Sequence, residues 1–256
     1  MMNERVGLLT QAAAPTTAES ALAARLGLPL VLPAELQPGN PEFYLCIDVD
    51  GLSLHCQEQN GMRGVTVNFD NHTLDRRAKD ALRQQNLIKA IGLKKHVIPR
   101  VLDCTAGLGS DAFLLARAGC EVTLLERNAI VHALLEDGMQ RAVHGSPQTG
   151  EAVSRMRLLF ADFANYAANL DSFDVVYLDP MYPLRHKSAK SKKSMYLLQR
   201  LLDEADEDEE VLTLALQRAS SRVVIKRAKQ SPNYGNRQPD ISFKGSSSRF
   251  DVYLAC

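Results

Sequence analysis

The stretch Val101–Phe113, VLDCTAGLGSDAF, constrains the fold more than any other part of the chain. Val97, Ile98 and Val101–Asp103 form an apolar run rich in β-branched residues and closed by a carboxylate, the pattern of a buried strand. Gly107 and Gly109 follow two positions apart, then a helix-forming run, Asp111–Ala118, ended by Gly119. A strand, a glycine turn and a helix that opens at the turn make a nucleotide-binding corner. Glycine lets backbone N–H groups approach a ligand closely, and the helix N-terminus adds a partial positive charge.

Alternation continues from there. Strands are expected at Glu121–Leu125, Met156–Phe160, Phe173–Leu178 and Val223–Lys226, with two short final ones at Ile241–Lys244 and Arg249–Leu254. Helices are expected after an Asn128 cap, through Leu197–Leu202 and over Leu212–Ala219, with a loop around Gly145-Ser146-Pro147 and a solvated acidic run at Asp203–Glu210. Strand and helix in turn from residue 97 onward predict an α/β fold, a doubly wound, mostly parallel sheet.

The chain before residue 97 reads differently. Thr16–Glu19 has capping-box spacing ahead of an Ala/Leu-rich helix that Gly27 can end. Phe43, Leu45, Ile47 and Val49 alternate with polar or smaller residues, and Asp50-Gly51 and Asn60-Gly61 separate further alternating runs, which are strong hairpin signals. Residues 1–72 are therefore expected to be a small α+β domain with an antiparallel meander, either a structural cap or a substrate-docking element. Residues 73–96 read as a basic helical connector carrying Arg76, Arg77, Lys79 and Arg83, and residues 97–256 as the main domain.

Composition narrows the partners. Lys+Arg and Asp+Glu are both 30, so no global field draws in nucleic acid, and an RNA site must come from a local basic cluster. The 5 cysteines contain no CxxC pair and the 6 histidines show no ligand spacing, so neither a disulfide framework nor a metal is expected. No run approaches the roughly 18 apolar residues of a membrane span, and the N-terminus lacks a signal core; a soluble cytoplasmic protein is expected.

Ligands of such sheets bind beyond the carboxyl ends of the strands. The first strand ends in the glycine corner, the second in Glu126, the third in Asp162 and the fourth in Asp179, one carboxylate at each end. Asp103 and Asp111 inside the corner would repel a pyrophosphate but suit hydroxyls or an ammonium group, which favours S-adenosylmethionine over a nicotinamide dinucleotide. Glu126 stands 17 positions after Gly109, close to the ~20 expected for a carboxylate that accepts from ribose hydroxyls. Asp162 can accept from an adenine amine with Phe163 beside the ring, while Asp103, Thr105 and Asp111 face the methionine half. The glycine pattern alone also fits an ordinary tight turn.

Asp179-Pro180-Met181-Tyr182-Pro183 carries the chemistry. An exocyclic amine of a base is a poor nucleophile because its lone pair is delocalised into the ring. A carboxylate and a carbonyl aimed at its two N–H bonds draw the nitrogen towards a tetrahedral geometry, and an aromatic ring holds an unstacked base. Asp179, the Pro180 carbonyl and the Tyr182 ring supply these parts, although the turn also has a purely structural reading. The basic loop Arg185, His186, Lys187, Lys190, Lys192, Lys193 follows at once. It is either a solvated patch or a phosphate-contacting element that Lys226-Arg227 could extend.

With these residues in hand, the chain resembles the class I S-adenosylmethionine-dependent methyltransferases, and within them the ribosomal RNA small subunit methyltransferase J family. The matching segments are VLDCTAGLGSDAF, LLERN followed by ALLEDGM, VVYLDPMYP, KSAKSKKSM, RVVIKR and RFDVY, which together span residues 97–256. The resemblance implies a seven-stranded sheet with its last strand antiparallel and methylation of guanine N2 in 16S ribosomal RNA, free or in the small ribosomal subunit. It also implies cofactor contacts at Ser110-Asp111, Glu126-Arg127, Asp162-Phe163 and Asp179, beside the Gly107–Gly109 turn. One departure is that Arg76-Arg77 are followed by AKDALRQQN, without the family's glycine run. The residues themselves leave two other classes open: a methyltransferase for another amino group (adenine N6 in RNA or DNA, or protein), and a non-catalytic nucleic-acid-binding module.

Overall fold

A computed structural model of the chain describes residues 5–59, 64–71, 74, 82–167, 171–180, 193–202 and 209–255. In chain order the elements begin with β1 (Val6–Leu9), α1 (Thr17–Leu26), β2 (Leu30–Val31), β3 (Phe43–Asp48) and β4 (Gly51–Cys56). Next come α2 (Asn86–Ala90), β5 (Val101–Asp103), α3 (Ser110–Arg117), β6 (Val122–Glu126), α4 (Ala129–Val143), α5 (Pro147–Val153), β7 (Met156–Phe160) and α6 (Phe163–Tyr166). The last are β8 (Phe173–Leu178), α7 (Lys193–Leu201), α8 (Glu209–Arg218), β9 (Ala219–Ala228), β10 (Ile241–Lys244) and β11 (Ser248–Leu254). They gather into two compact units, one of Met1–Asn68, Ala129–Arg141 and Pro183–Glu204, the other of Phe69–Asn128, Ala142–Tyr182 and Ala205–Cys256. Neither unit is continuous in sequence, whereas the boundaries predicted at residues 72 and 96 divide the chain end to end.

In the first unit α1 forms where the capping box predicts it. The Thr16 side chain accepts from the Glu19 N–H at 3.2 Å, Glu19 accepts from the Thr16 N–H at 2.6 Å, and Gly27 closes the helix at φ +63°. The sheet runs β2-β1-β3-β4 and is mixed, not the antiparallel meander expected from the sequence. β3 and β4 do make the Asp50-Gly51 hairpin, but β1 pairs in parallel with both β2 and β3. Val6–Leu9 is too short to show a period-two pattern, so pairing rather than alternation places it. Of the expected third leg, Val65 makes a single bridge to Leu54, and the Asn60-Gly61 turn lies outside the described residues. α4 belongs here through Arg141: Asp137 accepts the Leu52 N–H at 3.0 Å, and Arg141 donates to the Val67 carbonyl at 2.6 Å. A Cβ on Gly138 would come within 2.4 Å of Val67 Cγ1, so only glycine permits this approach. α7 is fastened by Arg200 to Glu42 and Glu58.

The second unit is the doubly wound sheet, seven strands in the order β10-β11-β9-β8-β5-β6-β7. β11, the last strand, is antiparallel to both its neighbours, and the pairs from β9 across to β7 are parallel. One face of the sheet carries Leu102, Val176, Leu178, Val223 and Ile225 into a core with Leu212 and Ala215 of α8. Period two then puts Asp103, Tyr177 and Lys226 on the other face. From β5 the chain moves outward to β6 and β7, then returns to place β8 on the far side of β5. The topological switch therefore lies between β5 and β8, where ligands of open α/β sheets bind.

One expectation is corrected here and another narrowed. Val97 and Ile98 are not part of the first strand of this sheet but 57% and 56% exposed. Pro99, which has no N–H to give a ladder, separates them from β5. The loop expected around Gly145–Pro147 is present but confined to His144–Ser146, because Pro147 already opens a helix: the Ser146 side chain caps α5 and Pro147 occupies its first turn. Of the connector, Arg76, Arg77 and Lys79 lie outside the described residues, and Leu87, Ile88 and Ile91 are buried as its apolar stripe. No described helix is long and apolar enough to cross a membrane.

Candidate active site

The glycine turn takes the conformation its sequence requires. Gly107 and Gly109 sit at φ +53° and +72°, in the left-handed region that side chains resist. Gly109 caps α3, so Ser110 and Asp111 stand in the first helical turn with Ser110 exposed. The turn is pinned to β6 twice: the Ala106 N–H donates to the Leu125 carbonyl at 3.0 Å, and the Gly107 N–H to Glu126 Oε2 at 3.0 Å. The other oxygen of Glu126 accepts the Asn128 N–H at 2.8 Å. Burial raises the Glu126 carboxyl against these two N–H groups, which lower it. A carboxylate offers about four lone-pair directions, so capacity remains for a ligand's hydroxyl.

Across the switch point, β5 and β8 are joined by Thr105, whose Oγ1 accepts the Asp179 N–H at 2.6 Å. Asp103 is 2% exposed and accepts the Thr105 N–H at 3.0 Å. Burial, reinforced by the carboxylates of Asp111, Asp179 and Glu126, pushes its pKa up to about 8. Asp111 Oδ2 accepts from the Tyr177 hydroxyl at 2.8 Å and from the Lys226 ammonium at 2.7 Å; the same ammonium reaches Asp179 Oδ2 at 2.7 Å. Burial opposes the charged form of Lys226, but the two carboxylates outweigh it and hold its pKa above the usual range. For Asp179, burial raises the carboxyl above its ordinary range, and the Lys226 ammonium draws it only part of the way back.

The site thus gathers Asp103, Thr105, Gly107, Gly109, Ser110, Asp111, Glu126 and Asp179, with Pro180 buried beside them in sequence. Asp162 caps α6 through the Asn165 N–H at 3.3 Å, and Arg127, 59% exposed in its side chain, stands 3.5 Å from it. Phe163 departs from expectation. It is 5% exposed and packs in the core with Leu102, Cys104 and Leu125, so its ring is part of the core. Tyr182, Arg185, Lys187, Lys190 and Lys192 lie outside the described residues, and of Lys193 only its backbone, at the start of α7, is described. Lys226-Arg227 do not extend a phosphate-binding patch: Lys226 is spent on two carboxylates, and Arg227 is 1% exposed, over the Tyr234 ring and donating to the Pro232 carbonyl. Sequence reasoning missed the roles of Tyr177 and Lys226. The usable signal is a lysine closing the otherwise apolar run VVIK, two residues past inward-facing Val224.

These residues fit S-adenosylmethionine. The ammonium of Lys226 is matched by two carboxylates, Asp111 and Asp179, and Glu126 adds a further carboxylate to the corner, a balance that suits a ligand bearing a sulfonium and an amino group and disfavours a pyrophosphate. The left-handed glycine turn leaves open space where a Cβ at Gly107 would stand, its nearest neighbour 3.9 Å away.

Comparison with known proteins agrees with this geometry. The family described as "Putative SAM-dependent methyltransferase" matches residues 29–255. A protein of Nitrosococcus oceani named ribosomal RNA small subunit methyltransferase J is 43% identical over 237 residues, covering 91% of this chain and 92% of its own. One of the same name from Coxiella burnetii is 39% identical over 255 residues, 99% of this chain and 98% of its own. Among solved structures, a SAM-dependent methyltransferase of Neisseria gonorrhoeae superposes with a TM-score of 0.71 at 32% identity, covering 98% of this chain and 96% of that one.

Proposed function

The chain belongs to the S-adenosylmethionine-dependent methyltransferases, in the ribosomal RNA small subunit methyltransferase J family, and from that premise we propose that it methylates the exocyclic N2 of a guanine in 16S ribosomal RNA. The observation that carries the reading is Asp179. Its backbone is tied to the glycine-corner strand through Thr105, and its carboxylate stands at the switch point beside the cofactor residues.

In this reading Glu126 accepts from the ribose hydroxyls, and Asp103, Thr105 and Asp111 meet the amino-acid end. Asp162, the Phe163 backbone and Arg127 border the base, and the backbone of Gly107–Ser110 gives close approach. When bound, the cofactor supplies an electrophilic methyl group on a sulfonium. Asp179 and the Pro180 carbonyl accept the two N–H bonds of the target amine and free its lone pair for the new N–C bond. The nitrogen then sheds one proton, which Asp179 accepts and passes to water. Tyr182 stacks on the unstacked base. Arg185, Lys187, Lys190, Lys192 and Lys193 contact phosphates, which position RNA without reading its sequence. A substrate in the small ribosomal subunit makes this a cytoplasmic enzyme.

The test is a mass-spectrometric count of modified nucleosides in 16S ribosomal RNA from cells lacking the protein. N2-methylguanosine is expected to fall by one per molecule and to return with the parental gene but not with Asp179→Ala. An unchanged count refutes the substrate; a loss of N6-methyladenosine in its place moves the target to adenine.

A further inference from the structure

We propose that Lys226 is a positioning residue of the transfer reaction: bridging Asp111 and Asp179, its ammonium fixes the Asp179 carboxylate so that one oxygen is held and the other faces the target amine. The inference rests on the reading of Asp179 as the group that meets the amine. Three elements converge to make the bridge. Asp111 comes from the first turn of α3, Asp179 from the end of β8 and Lys226 from β9, with both N···O distances 2.7 Å. Each carboxylate is held a second time, Asp111 by the Tyr177 hydroxyl and Asp179, through its backbone, by Thr105. Lys226 takes Oδ2 of Asp179, which leaves Oδ1 for the substrate.

The charge balance supports this role. Asp103, Asp111, Asp179 and Glu126 gather around the corner, and like charges at such range favour protonation of one another. A protonated Asp179 would no longer accept two demands at once, from Lys226 and from the amine. Lys226 is the cation that opposes this protonation for Asp179, drawing its carboxyl down against burial and the neighbouring Asp111. Side-chain exposures of 27%, 11% and 35% for Lys226, Asp111 and Asp179 leave the bridge largely shielded, so the three charges hold one another in place with little screening.

A merely structural lysine and a positioning lysine predict opposite effects on the cofactor. S-adenosylmethionine is cationic, so removing a neighbouring cation leaves its affinity unchanged or tighter, whereas a loosened corner weakens it. Lys226→Met, with Lys226→Gln as a second variant that keeps an amide donor without charge, is measured by calorimetry and by single-site methylation of subunits. The expected result is a kcat at least tenfold lower at nearly parental KM for RNA, with cofactor affinity undiminished. The affinity ratio of S-adenosylmethionine to S-adenosylhomocysteine, which differ by one positive charge, should move towards S-adenosylmethionine. Lys226→Arg should recover most of kcat. A parental kcat in the Met and Gln variants overturns the proposal, as does a loss of cofactor affinity in step with kcat. Asp179→Ala separates the two readings: if it too turns over at the parental rate, the assignment of Asp179 fails; if it is inactive while Lys226→Met is parental, only the role of Lys226 fails.

Discussion

Asp179 and Thr105 are joined across the two central strands, the Asp179 N–H donating to Thr105 Oγ1 at 2.6 Å. Together with the Lys226 bridge from Asp179 to Asp111, this bond ties the end of β8 to the loop and helix of the glycine corner. In the proposed reading it helps set the distance between the residues that meet the cofactor and the acceptor for the target amine.

Thr105→Val keeps shape but leaves the Asp179 N–H without its acceptor. An unmade hydrogen bond at a part-buried donor costs about 1–3 kcal/mol. The expected result is a kcat lowered about tenfold or more, with a smaller change in cofactor affinity, because misplacement acts on the reacting atoms. Steady-state kinetics beside calorimetry check it; a parental kcat would show that the bond positions nothing.

Glu126→Gln keeps the size of a side chain that anchors Gly107 and Asn128 and, in the proposed reading, faces the ribose. Removing its charge should weaken S-adenosylmethionine by about ten- to a hundredfold, the ~1.5–3 kcal/mol of a charge-assisted hydrogen bond. Calorimetric titration decides, and an unchanged Kd with the fold intact would remove Glu126 from the cofactor site.

Asp103 gives a pH signature. Its pKa of about 8 in the folded protein lies above the ordinary carboxylate value of 3.8. Between those values the folded state holds a proton that the unfolded state has lost, so the ligand-free protein loses stability as pH rises, and the loss levels off above pH 8. Asp103→Asn removes that titration. Its melting temperature relative to the parent should rise from pH 5 to pH 8 and stay flat above; a constant difference across that range would refute the buried, proton-bearing Asp103.

Much of the second unit was legible because β6 and β8 are largely apolar runs and a carboxylate closes or follows each of β5, β6, β7 and β8. The doubly wound reading follows from strand–helix alternation, and β8, apolar over Phe173–Leu178 apart from Asp174, marks itself as central. The glycine corner was legible because two left-handed residues need two glycines. What was not legible depends on pairing between distant segments. β1 is four residues long and finds its partner, β3, more than thirty positions away, and α4 joins the N-terminal sheet through Asp137 and Arg141, which look like an ordinary i, i+4 pair. Lys226 read as a possible extension of the basic loop because sequence shows its charge but not the two carboxylates that consume it. Phe163 read as a ligand's neighbour because a residue beside Asp162 shares its place at the edge, yet its ring turns into the core.

Replacing Lys190, Lys192 and Lys193 with Ala is expected to weaken RNA binding alike across sequences. It should also flatten the dependence of log K on log salt by ~0.7–0.9 for each phosphate that the variant no longer neutralises. Binding measured over a salt series reads this directly, and an unaltered slope would make these lysines a solvated patch.

The central claim is that the methyl group goes to the N2 amine of a guanine in 16S ribosomal RNA. The direct measurement incubates the purified protein with methyl-labelled S-adenosylmethionine and small ribosomal subunits from a strain lacking it, then digests the RNA to nucleosides. Label is expected in N2-methylguanosine alone, at up to one per subunit, and absent with Asp179→Ala. Label in N6-methyladenosine or in ribosomal protein, or none anywhere while calorimetry shows the cofactor bound, would contradict the account.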